Sequence, residues 1–98
     1  MNTRTIKLMD CVTGTSTNTE AVGLYLAISN AFKSGAIVKL SLAGTTPMSS
    51  SFMNSSFGEL VEEFGIETVK KQLRLVDFKP SQALQIKNYF ETVSSYSR

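Results

Sequence analysis

Three runs of the chain alternate apolar and polar residues as a strand does: TIKLMDCV (5–12), AIVKLSLAG (36–44) and QLRLVDF (72–78). Each is followed by a longer stretch whose apolar residues recur at helical spacing. That alternation leaves few architectures. Strands joined through helices lie parallel in one sheet, with right-handed crossovers and the helices packed on the sheet. The expected fold is therefore α/β, in the order β-α-β-α-β-α, with a mostly parallel sheet of three or four strands. At 98 residues one domain over 1–98 is expected, with its core between about residues 4 and 93 and a frayed tail at 94–98.

The local signals agree. Thr17 followed by Glu20 forms a capping box, which starts a helix near Asn18. In that helix Ala21, Tyr25, Ile28 and Phe32 form one stripe, which Val22, Leu24, Leu26 and Ala27 widen. So broad an apolar surface predicts burial against the sheet and a second element together. Ser34-Gly35 stops it. In the second strand Val38, Leu40 and Leu42 share one face and Ile37, Lys39 and Ser41 the other. Thr46, which precedes Pro47, is held extended. A second helix follows. Its rows are Phe52, Ser56, Leu60, Phe64 and Met53, Phe57, Val61, which places Ser55 and Ser56 inside it, while Glu59, Glu62 and Glu63 form a solvated face. Gly58 lies mid-helix at a cost of about 1 kcal/mol against Ala, which predicts close packing against a strand. Gly65 ends the helix, and 66–71 reads as a helical turn or connector. In the third strand Leu73, Leu75 and Asp77 alternate with Arg74, Val76 and Phe78. Pro80 suits the first turn of a last helix, whose apolar face is Ala83, Ile86, Phe90 and Val93.

Composition removes several chemistries. The chain has no His, so Ser-His-Asp and Cys-His catalysis, the usual zinc sites and the commonest general base are excluded. Its single cysteine, Cys11, forms no internal disulfide and reads as a small buried hydrophobe. No phosphate-binding GxxxxGK[ST] or GxGxxG motif is present. GTSTNTE (14–20) has one Gly and no Lys, and reads as a loop and a cap. A net charge of +2 and the short Lys70, Lys71, Arg74 cluster describe a solvated surface rather than a nucleic-acid footprint. No run is long enough for a membrane span and no secretory leader is recognisable, so a cytoplasmic protein is expected. An enzyme, a cofactor and a metal are not expected.

The serine-rich stretch TTPMSSSFMNSS (45–56) needs a separate explanation. Serines at a helix start cap its free amides, but one suffices. The others either accept a phosphate, which the positive end of the helix tolerates, or serve as small residues that let a partner approach.

A strand, a Gly-containing turn and a Ser-Ser pair opening an apolar helix resemble the STAS domain of anti-sigma factor antagonists. Such a domain reads roughly LVLDLSGVTFMDSSGLGVLL, against IVKLSLAGTTPMSSSFMNSS at 37–56. With the family's first letter set on Val38, its Asp-Ser-Ser falls without a gap on Ser49-Ser50-Ser51. A second register sets FMNSSFGEL (52–60) on FMDSSGLGVL and moves the pair to Ser55-Ser56. The first is preferred because it keeps the strand-to-helix spacing. The segment SSFMNSSFGELV (50–61) is more closely similar to STAS-like proteins, small and poorly characterised bacterial relatives with an sSSF…FG.L pattern. The likeness covers roughly residues 4–92. The chain departs from the antagonist pattern at Ser49 in place of Asp, Phe52 in place of the Gly after the serine pair, and Ser41 at the acidic strand position.

The resemblance implies a non-catalytic regulatory module. Its partner would be an ATPase-fold, histidine-kinase-like protein, with Ser50 as the aligned phosphate acceptor and Ser49 and Ser51 beside it. The expected partner surface is Pro47, Met48, Phe52, Met53 and Ser55. No nucleic acid or membrane is expected as partner, and a homo-oligomer is compatible with the pattern. The alternative is a module of the same fold that senses a small anionic ligand or nucleotide at that helix start.

Overall fold

The structure is a computed structural model that describes residues 2–96. Its elements are β1 (Thr3–Lys7), α1 (Leu8–Cys11), α2 (Asn18–Lys33), β2 (Ile37–Ser41), α3 (Ser50–Met53), a π-helical turn (Asn54–Gly58), α4 (Glu59–Phe64), α5 (Ile66–Gln72), β3 (Leu73–Val76) and α6 (Pro80–Tyr96). The strands form one parallel sheet in the order β1-β2-β3, so the α/β alternation read from the sequence is the architecture. The register places Ile6, Leu40 and Leu75 side by side, with Val38 beside Leu73. The helices pack on this face. The reverse face, with Thr5, Lys39 and Arg74 in one row, is exposed.

The core joins Val38, Leu40 and Leu42 to Leu24 and Ile28 of α2, to Phe52, Phe57 and Leu60 of the second helix, and to Ile86 of α6. Two aromatic pairs lock its layers. Phe32 meets Phe64 edge-to-face with ring centroids 5.3 Å apart, and Phe57 meets Phe90 in the same way at 5.8 Å. Such pairs add about 0.5–1.5 kcal/mol beyond area burial.

Several local expectations are corrected. The first strand stops at Lys7, and Leu8–Cys11 turn into a short helix that sends Leu8 fully into the core. Gly23 explains the fit, because a Cβ there would run into the Cys11 carbonyl. On α2 the apolar surface is narrower than its letters suggest, since Val22 and Leu26 are 48% and 51% exposed. The second helix is continuous through 50–64 but carries a π turn over Asn54–Gly58, within which Ser56 is fully buried and donates to the Phe52 carbonyl at 2.7 Å. Gly58 packs against α6 rather than a strand: a Cβ there would lie 2.5 Å from the Tyr89 hydroxyl. The connector after Gly65 is a two-turn helix, α5. Ser41 breaks the strand alternation by being buried, and donates to Asp77 Oδ2 at 2.8 Å. Ser94–Tyr96, read as tail, continue α6. Ser97 and Arg98 lie outside the described residues.

Candidate functional site

All three strands of a parallel sheet end at one edge, where the chain leaves β2 and β3 through a loop and β1 through α1 and the loop after it. Ligand and partner sites of α/β folds gather at this edge. Here it is rich in hydroxyls. The loop after α1 supplies Thr13, Thr15, Ser16 and Thr17, the loop after β2 supplies Thr45, Thr46 and Ser49, and the start of α3 supplies Ser50 and Ser51.

The two loops are fastened together. Thr15, 2% exposed, carries a hydroxyl 2.6 Å from the Thr46 hydroxyl and 2.9 Å from the Pro47 carbonyl. The Ser49 amide donates to the Thr15 carbonyl at 3.0 Å, and Ser49 Oγ donates to the Ser16 carbonyl at 2.7 Å. Ser49 Oγ also accepts from the Phe52 amide at 3.1 Å, which makes it the N-cap of the 50–64 helix. From below, Gln82 and Gln85 of α6 donate to the carbonyls of Thr45 and Met48.

The GTSTNTE loop folds around its own carboxylate. Glu20 Oε1 accepts from the amides of Ser16 and Thr17 at 3.2 and 3.1 Å and from the Thr17 hydroxyl at 3.0 Å, while Thr17 caps the Glu20 amide. These donors, the Thr17 hydroxyl foremost, hold the Glu20 carboxyl below the ordinary carboxylate range. The capping box expected from the letters is thus complete. The place an anion would take at the start of α2 is filled by the chain itself.

The structure divides the predicted site residues into two groups. Ser50 and Ser51 are exposed, Pro47 is exposed, and Ser49 and Ser55 are half-buried. Met48, Phe52 and Met53 are core residues, 5%, 0% and 3% exposed. They face inward because the helix rows that carry them are its apolar rows, so they support the rim from behind and present no surface. Ser56, the second acceptor of the alternative register, lies in the core with its hydroxyl spent on the Phe52 carbonyl.

The neighbouring surface was not anticipated. A cleft of about 390 Å³ lies between α2 and the π turn, with exposed Val22 and Leu26 on one wall and Ser55 and Glu59 on the other. The expected acidic face also divides. Glu59 and Glu62 are exposed and unpaired among the described residues, whereas Glu63 Oε1 accepts from the hydroxyls of Tyr25 and Ser29 and Glu63 Oε2 lies 3.4 Å from Lys33 Nζ, tying α4 to α2. The Tyr25 hydroxyl holds the Glu63 carboxyl below its ordinary value, with Lys33 adding to the effect. Burial, with Asp10 nearby, raises the Cys11 thiol above its ordinary value, which keeps it protonated near neutrality. Among the described residues no group of three or more Cys, Asp or Glu is placed to hold a metal, and no helix is long and apolar enough to cross a membrane.

A family model, the STAS-like domain of unknown function (DUF4325), matches residues 20–83. The chain belongs to this family. No curated protein and no solved structure matches it. The match runs from the start of α2 to the start of α6 and contains Ser49–Ser51 together with both walls of the Val22–Ser55 cleft, apart from Asn18 and Thr19. Thr15 and Ser16, which brace the serine rim of this STAS-like chain, lie outside the matched segment.

Proposed function

We propose that this STAS-like chain is a non-catalytic regulatory module that docks an ATPase-fold, kinase-like protein on its serine rim, and that phosphorylation of Ser50 or Ser51 releases the partner. One observation carries the reading. Of the three serines only Ser49 caps the helix and joins the loop brace, and among the described residues the exposed hydroxyls of Ser50 and Ser51 have no hydrogen-bond partner. A phosphoserine there would sit near the positive end of the 50–64 helix, which tolerates it, while its charge of about −1.5 to −2 repels a partner seated on a neutral rim. The docking surface runs from Pro47, Ser50 and Ser51 into the cleft of Val22, Leu26 and Ser55, replacing the buried Met48, Phe52 and Met53. The burial of Ser56 supports the register that makes Ser50 the acceptor.

The small-anion alternative places its ligand at the start of the 50–64 helix, where Ser49 Oγ already takes the Phe52 amide, and the neighbouring amides before α2 are taken by Glu20. The test is the intact mass of the protein from its own host, with peptide mapping of residues 40–70, joined to co-purification with wild type, S50A/S51A and S50D/S51D. Phosphate on Ser50 or Ser51, and an ATPase-fold protein retained by wild type and the alanine variant but lost at least about tenfold by the aspartate variant, is the expected result. Thermal stabilisation by nucleotide alone, with no protein partner recovered, would overturn it in favour of the ligand reading.

A further inference from the structure

Among the described residues no helix covers one face of the sheet, and that face is cationic. The register sets Thr5, Lys39 and Arg74 side by side across the three strands, with Lys7 one row further on, and all four are exposed. Lys39 and Arg74 are direct neighbours. Like charges opposed across a sheet destabilise it, and among the described residues neither has an ion-pair partner. At the end of this face the Asp77 carboxylate accepts from the Ser41 hydroxyl. Such a face is relieved when an anionic surface covers it.

The same chain carries a surface of opposite character. A cleft of about 650 Å³ runs between the 54–66 segment and α6. Its floor is Val61, Ile66 and Val93, its wall is Tyr89, and its rim carries Glu59 and Glu62. Among the described residues no lysine or arginine lines it. The Tyr89 hydroxyl, which donates to Asn54 Oδ1 at 2.9 Å, is raised above its ordinary pKa by burial and then by Glu62 and Glu59, as expected beside a concentrated negative field. An apolar floor under a carboxylate rim suits a long cationic side chain, which buries its methylenes and keeps its head at the rim.

We propose that the acidic cleft of one copy takes Lys39 and Arg74 from the open sheet face of a second copy, so that the chain associates head-to-tail. The two surfaces share no residue, so the contact is heterologous, and a head-to-tail pair retains one free surface of each kind. The contact uses none of Ser49–Ser51 and stands or falls apart from the phosphorylation reading.

The experiment is sedimentation velocity on the full chain across a concentration series, at low salt and at about 0.5 M salt, where exposed charge pairs are screened. Wild type should associate beyond a dimer at low salt, and the association should weaken at least about tenfold at high salt. Exposed-site variants K39Q/R74Q and E59Q/E62Q, checked for native far-UV circular dichroism, should each sediment as monomers. Mixed in equal amounts they should form a dimer that does not grow, because each supplies the surface the other lacks. A wild-type chain that stays monomeric at low salt overturns the proposal. So does a K39Q/R74Q variant that still associates, or a monomer whose Lys39 and Arg74 instead bind a single-stranded oligonucleotide.

Discussion

At the scale of single residues, position on a helix row decides role more than chemical type does. Phe52 and Ser50 are two residues apart, yet one is fully buried and the other exposed. Phe52→Ala should therefore lower stability by about 3–5 kcal/mol through the cavity it leaves, read as a fall in the urea midpoint with no partner present. Loss of binding without loss of stability would mean that Phe52 is a surface residue after all. Thr17→Ala removes a cap and should cost about 1 kcal/mol, again by denaturant titration. Its partner Glu20 gives a pH signature. The folded-state pKa of Glu20 is lowered, so between the folded and unfolded values the unfolded chain binds the extra proton. The stabilisation is complete above the unfolded carboxylate value and is lost as pH falls through the folded one. Glu20→Gln should flatten the acid side of the stability profile while leaving the slope near neutrality unchanged, and an unaltered acid limb would refute the assignment.

At the scale of elements, the strand–helix alternation was readable because period-2 and period-3.6 patterns are local. What the letters missed depends on contacts between elements. Nothing in LMDC announces that the chain turns in over Gly23 after Lys7, since that close approach involves a helix some twelve residues on. The π turn at Asn54–Gly58 is hidden for the same reason. Its Asn54 side chain accepts from Tyr89, and its Gly58 gives room to the same hydroxyl, 35 and 31 residues away in α6. Val22 and Leu26 are apolar letters that the fold leaves about half exposed. The capping box and the Pro80 helix start, which need only a few neighbouring residues, were legible in full. A double-mutant cycle tests the π-turn contact. Gly58→Ala gains about 1 kcal/mol of helix propensity but drives the Tyr89 hydroxyl from its place, so it should be neutral or destabilising in the wild type. In a Tyr89→Phe background, which removes the obstructing oxygen, the same change should stabilise by about 0.5–1 kcal/mol. Equal effects in both backgrounds would show that Gly58 and Tyr89 are not coupled.

At the scale of the whole molecule, the serine rim belongs to the fold rather than to one loop. The sequence located its hydroxyls at 45–51 but could not show that the GTSTNTE loop braces them, because the brace forms only when parallel strands bring both loops to one edge. Thr15 is the centre of that brace. Its buried hydroxyl meets Thr46 and Pro47, and its carbonyl receives the Ser49 amide. Thr15→Val keeps the shape and removes the hydroxyl, breaking its part-buried hydrogen bonds to the opposite loop at a cost of about 0.5–1.5 kcal/mol. The loss should be uneven. Amide hydrogen exchange should accelerate at Ser49 and Phe52, whose donors depend on the joined loops, while the β2 amides, held by the sheet, change only by the fall in global stability. Uniform acceleration across the chain would mean that Thr15 contributes to stability alone and does not hold the rim. If the rim is the docking surface, the same variant should weaken partner recovery without touching any exposed serine, because a surface that has to be ordered on binding binds less tightly than one already in place.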